Sequence, residues 1–328
     1  MNDTNKKQKK IKWDLFNRFL DKDKTPSPLL LLISMFLILS FRIAMAVFPD
    51  KTGGYLGLLI LQLIIFFIPA YLYSKFISKG RLFLKPEHFK LKPPSIDRTF
   101  LIISASVLLC SVLFTLDKLC RWNIGYPDGF YLYNTFFTGR IAEPDNAFYP
   151  VITFALVPAI CEEFVFRGVI HRSYEDKGFS VAAIVSAIMF SLVTLDPALI
   201  PSSLVFGLFM SFLLYLTDSL ISCFIVNFIY KMFMLFFGTN MADYLLTGGN
   251  SALLFTIVLL ALLLSLSVFG FECSRVFKEI AEKKEDLPKL CDGGIKTLGS
   301  KLSQALFTKC IIICVFIYVA FNIVSIFI

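Results

Sequence analysis

Charge is scarce in this chain. Only 17% of its 328 residues are Asp, Glu, Lys or Arg, whereas 57% are hydrophobic and 16% aromatic; an average soluble domain carries roughly 25% charged residues. A chain so poor in charge cannot cover its own surface in water, which excludes an ordinary soluble globular protein. Tracts rich in Gln, Asn, Pro or Gly are missing, as is any repeat of roughly 20–50 residues, so low-complexity linkers and solenoids are excluded. No basic patch is interleaved with aromatics, and nucleic acid is not an expected partner. Of the eight cysteines, Cys110, Cys161, Cys223, Cys310 and Cys314 lie in apolar runs and Cys273 and Cys291 in a basic connection. Only Cys120 is left for an oxidising side, and no disulfide framework is expected.

The apolar residues are gathered into blocks at 29–47, 56–77, 100–116, 149–170, 181–195, 199–216, 220–237, 253–271 and 310–328. Most approach the roughly 20 residues that span a hydrocarbon core. The pattern predicts an all-α, polytopic transmembrane bundle of about nine spans. Block 181–195 is short and only Asp196-Pro197-Ala198 separates it from the next, so these two predict a tight helical hairpin. Lys6, Lys7, Lys9, Lys10, Lys12, Arg18, Lys22 and Lys24 precede the first block with no small-residue cleavage site, which predicts a cytoplasmic arm at 1–28 and a retained first span. Lys79, Arg81, Lys85, Lys90 and Lys92 then fall in an inside connection, as do Lys278, Lys283, Lys284, Lys289, Lys296 and Lys301. The net charge of +8 is read as orientation and attraction to anionic lipid. The connection 273–309 alternates Lys with Glu279, Glu282, Glu285 and Asp286, which predicts a solvated helix and a turn along the membrane surface.

Within the fourth block stands Pro158-Ala159-Ile160-Cys161-Glu162-Glu163-Phe164-Val165-Phe166-Arg167-Gly168. An ionisable group at membrane depth costs about 2.5–3.5 kcal/mol on insertion scales and marks function by default. Glu163 and Arg167 are four residues apart and share a helix face, while Glu162 points about 100° away and needs a partner from another helix. Pro158 removes a backbone donor just before the pair. A charge cluster snorkelling at the cytoplasmic edge is the bland alternative, but Phe164, Val165, Phe166, Val169 and Ile170 carry the apolar run past the glutamates.

Glu162–Gly168 resembles the first signature of the CAAX-protease and bacteriocin-processing (CPBP, or Abi) intramembrane protease family. The resemblance continues over 149–237 through Ser186-Ala187-Ile188-Met189-Phe190, Gly207-Leu208-Phe209-Met210 and Asp218-Ser219-Leu220. It implies a core at 147–237 between transmembrane regions at 29–146 and 238–328, and hydrolysis of a peptide bond in the membrane with a glutamate as general base. The family often employs zinc or another divalent metal. It supplies histidines from Phe-x-x-x-His and His-x-x-x-Asn signatures, but here those positions hold Thr194, Asn227 and, for the final asparagine, Lys231. The chain's two histidines, His88 and His171, stand elsewhere. Threonine hydroxyl and asparagine amide bind such metals weakly, so no metal cofactor is expected.

At 1.5 Å per residue, Glu163 lies about 14 Å in from Arg172, and Asn227 and Lys231 about 12 and 18 Å in from Ser219, in one middle layer; Thr194, about 22 Å from Phe179, fits it less well. Glu162, Glu163, Arg167 and Lys231 would form a neutral buried cluster in which Lys231 takes over a metal's electrostatic role. The alternative is a lysine snorkelling outward near Phe236 and Phe237. Three functions compete. One is an altered intramembrane protease, with water held between Glu162 or Glu163 and Asn227 and with Asn227 or Lys231 stabilising the oxyanion, or with Thr194 as nucleophile and Lys231 as base. The second is an inactive pseudoprotease acting as a membrane scaffold or bacteriocin-immunity-type binding protein. The third is a transporter, for which broken-helix inverted repeats are not evident. The expected partners are membrane lipid and a membrane-associated peptide or protein, and the expected location is the bacterial cell membrane.

Overall fold

The computed structural model describes residues 27–47, 54–73, 89–122, 148–246, 251–283 and 295–327. Nearly all of the basic arm, His88, Cys291 and the whole 123–147 connection lie outside the described residues. Within them the chain is helical and without strands, because side chains this apolar leave the backbone only its own i→i+4 ladder for hydrogen bonding in lipid. We number the helices α1 (Ser27–Val47), α2 (54–72), α3 (Thr99–Trp122), α4 (Phe148–Lys177), α5 (Phe179–Val193), α6 (Ile200–Thr217), α7 (Leu220–Leu246), α8 (Ser251–Lys283), α9 (Ile295–Leu306) and α10 (Lys309–Phe327).

Each of the nine apolar blocks falls on one of these helices. Five (α1, α3, α4, α6 and α8) are long and apolar enough to cross a membrane, and the pair α9 and α10, bent by 69°, makes a sixth candidate. Three shorter apolar helices lie at Leu56–Leu72, Phe179–Val193 and Leu220–Leu235. Helix α8 outruns its apolar block, extending to Lys283. Its charged end is held by Arg275 to Glu272 at 2.7 Å and by Arg98, from the turn before α3, to Glu279 at 3.1 Å. The amphipathic α9 then packs against α5 with Ala305 buried.

Helix α4 is the centre of the bundle. Every residue from Cys161 to His171 is buried, so no face of that stretch reaches the outside, and α2, α5, α6 and α7 pack around it. Helices α5 and α6 form the expected hairpin. Leu195 leaves α5 in the left-handed region (φ 53°), Asp196 caps the next turn by accepting from the Ala198 N–H at 2.9 Å, and the chain re-enters α6. The two helices cross at Gly207, where a β-carbon would stand 2.6 Å from the Ala187 α-carbon; only glycine admits that approach.

Two prolines shape the helices around the site. A proline lacks the N–H for the carbonyl behind it and its ring crowds that turn, which is relieved by widening the helix by one residue. Such π-helical turns precede Pro69 (Leu63–Phe67) and Pro158 (Val151–Leu156). The carbonyls left over are taken by side chains from neighbouring helices: Ser34 donates to Ile65 at 3.2 Å and Gln62 to Thr153 at 2.8 Å. A third π-helical turn, Phe164–His171, starts directly after the glutamates, and Ser186 of α5 donates to its Phe166 carbonyl at 2.9 Å.

Candidate functional site

The fourth and seventh helices run antiparallel, and their polar residues meet in register. Asn227 of α7 donates from Nδ2 to Glu163 Oε1 at 3.0 Å. One turn on, Lys231 Nζ reaches both oxygens of Glu162, at 3.1 Å to Oε1 and 2.9 Å to Oε2. Arg167, one turn along α4, places one guanidinium nitrogen 3.0 Å from Glu163 Oε1 and donates from the other to the Gly207 carbonyl at 3.3 Å. Its planar group lies against the rings of Phe190 and Phe206, 5.2 and 5.3 Å from their centroids. The close crossing at Gly207 thus serves the site: it brings a backbone acceptor and two aromatic faces to one buried cation.

Five of the six residues singled out in the sequence therefore meet in one cluster, the pair Glu162–Lys231 beside the trio Glu163–Arg167–Asn227. Four of them are completely buried, and Lys231 alone is slightly open, at 9%. Thr194 stands apart. It ends α5, donates its hydroxyl to Ser191 of its own helix at 2.7 Å, and its carbonyl accepts from Arg42 of α1 at 3.2 Å. A hydroxyl spent on its own last turn is oriented by the helix end, not toward α7. The outward-snorkelling alternative for Lys231 and the membrane-edge alternative for the glutamates both disagree with this burial.

Two contributors escaped the sequence reading. Phe206 and the Gly207 carbonyl complete the arginine's surroundings, and the available signal was a lone glycine inside an apolar helix, which often marks a close backbone approach. The second is the segment at Phe89–Lys92. Phe89 packs on Phe164 with ring centroids 5.2 Å apart, the Lys90 carbonyl accepts from the Leu220 N–H at 3.0 Å, and the Lys92 carbonyl accepts from Ser219. It therefore ties α4, one residue beyond the glutamates, to the start of α7, which carries Asn227 and Lys231. Lys90 and Lys92 each reach Asp218 at 2.6 Å. Burial alone would raise the Asp218 carboxyl, but the hydrogen bonds and charges of the two lysines outweigh it and hold the group below its ordinary value.

Which of these residues could hold a metal follows from their chemistry. Among the described residues no three His, Cys, Asp or Glu side chains cluster. Both carboxylates already face a cation at about van der Waals contact, and an amide is the only other donor between them. The donor set does not fit a zinc or cobalt site. Three buried polar atoms around the pair, Glu163 Oε2, Asn227 Oδ1 and Arg167 Nε, have no protein partner among the described residues.

Residues 144–233 match the model of the type II CAAX prenyl endopeptidase Rce1-like family. This is consistent with a CPBP-family intramembrane protease. The match covers a little over a quarter of the chain and runs from just before α4 to just beyond Lys231, so it contains the whole cluster and the hairpin that clamps Arg167. No curated protein and no solved structure matches the chain. The Rce1-like segment and the apolar helices around it make this a membrane protein.

Proposed function

We propose that the cluster between α4 and α7 is the hydrolytic centre of a CAAX-type membrane endopeptidase, with Glu163 as general base. One observation carries this reading: Glu163 Oε2 and Asn227 Oδ1 are buried acceptors without a protein partner, on side chains that already touch through their other polar atoms at 3.0 Å. A water donating one hydrogen to each would be oriented by Asn227 and deprotonated by Glu163. Its oxygen bonds to the carbonyl carbon of a membrane-associated peptide while its proton passes to Glu163. The C–N bond then breaks, the same proton moves to the leaving nitrogen, and acid and amine are released. Arg167 holds Glu163 in place through Oε1 and keeps Oε2 free for the water. The Rce1-like match supports peptide hydrolysis as the reaction class.

A second reading, a binding protein on a protease scaffold, is favoured by the pairing of both carboxylates with cations and by Thr194 and Asn227 at the family's histidine positions. One assay separates the two. The full chain in liposomes is offered a fluorogenic prenylated CAAX-type peptide, because the matched family is named for that reaction. Glu163→Gln, nearly isosteric, should lower the cleavage rate by about 10²–10⁴-fold. Equal rates for wild type and Glu163→Gln would reject the hydrolytic reading, and saturable binding of the uncleaved peptide would then favour the scaffold.

A further inference from the structure

We propose that the Lys231 ammonium does at this site what a divalent metal would do: it neutralises Glu162 and presents the electrophilic N–H to the oxyanion. The first half stands on geometry alone, and the second rests on the hydrolytic reading above. Formal charges in the cluster are two carboxylates against Arg167 and Lys231, a sum of zero. Full burial without counter-ions in water demands such a sum. A dication added to the same set would leave two uncompensated positive charges among residues that are 0–9% exposed. Glu162 and Glu163 are ligands a metal would need, and both are spent on nitrogen cations at 2.9–3.0 Å.

Lys231 is also the member placed to meet a substrate. At 9% it is the most exposed of the five, so its side chain is the one we place on the path of an approaching carbonyl. It donates one hydrogen bond to Glu162 Oε1 and pairs by charge with Oε2 at 2.9 Å. A further N–H of the ammonium would serve an oxygen that gains charge as water attacks, a stabilisation worth most in a water-poor site. Asn227, one turn earlier on α7, holds the water, so a single helix face would supply both the nucleophile's position and the oxyanion's donor.

The test uses the full chain purified in detergent. Elemental analysis should find zinc, cobalt, manganese and iron far below one per chain. In thermal melts, Lys231→Met and Glu162→Gln should each lower the midpoint by several degrees, and the double variant should recover most of that loss; Lys231→Arg, which keeps the charge, should stay near wild type. If the single variants do not fold, a folded double variant gives the same answer. Near-stoichiometric metal that is lost in Glu162→Gln, or losses that simply add in the double variant, would overturn the proposal. Should wild type cleave the peptide probe, a chelator should leave the rate unchanged and Lys231→Met should lower it at least tenfold with Lys231→Arg between them; chelator-abolished cleavage would again overturn it. A wild type that cleaves nothing but passes the metal and melting tests refutes the hydrolytic reading and leaves the charge replacement standing.

Discussion

At the scale of single residues, the cluster shows how far spacing alone can be read. The Glu163–Arg167 pair follows from four-residue spacing on a helix, and it is found at 3.0 Å. That Lys231 would take Glu162 while Asn227 took Glu163 required the register of α7 against α4, which no spacing within either helix encodes. Asp218 belongs to the same scale, and its prediction concerns pH. A carboxylate held below its ordinary value adds stability that is complete above the unfolded value, about 3.9 for Asp, and is lost as pH falls through the lower folded value. Asp218→Asn should therefore melt below wild type at pH 7, with the gap closing as pH drops beneath about 4. Lys92 and Asp218 are both more than half exposed, so the gap should be about 1 kcal/mol or less and should shrink in high salt. Melting curves across pH would contradict this if the gap widened on acidification.

At the scale of elements, the prolines matter more than their number suggests. Pro158 was legible as a loosened turn before the glutamates, but the way the loosening is satisfied was not: the widened turn frees the Thr153 carbonyl, and a side chain from α2, far away in sequence, fills it. Leaving such a carbonyl unpaired in an apolar interior costs about 1–3 kcal/mol. Gln62→Leu should lower stability by that order. Pro158→Ala, which restores the N–H, should cost little in the Gln62→Leu background and more in wild type. Denaturant or thermal unfolding of the four proteins measures the coupling, and independent effects would show that Gln62 holds α4 by some other means. The hairpin of α5 and α6 was legible from Asp196-Pro197-Ala198, because a capping aspartate followed by proline starts a helix at once. Its contact at Gly207 was not, since glycine in an apolar run says only that something comes close.

At the scale of the whole molecule, nine apolar helices with an inside amino end would place the ends of this chain on opposite faces of the membrane. Compartment reporters fused at Met1 and Ile328 should give opposite signals, and like signals would mean that one of the short helices, Leu56–Leu72, Phe179–Val193 or Leu220–Leu235, does not cross. Composition by itself determined the class of this protein, because a chain with 17% charged residues has too little polar surface for water and must satisfy its backbone within helices. The sequence also singled out the residues that meet in the buried cluster, because charge inside an apolar run is costly. Only the tertiary structure decided what the charges do. Partners separated by more than sixty residues, a carbonyl exposed by one glycine, and a threonine turned back into its own helix all depend on how helices pack, and packing is settled by shape across the bundle rather than by the pattern along any one helix of it.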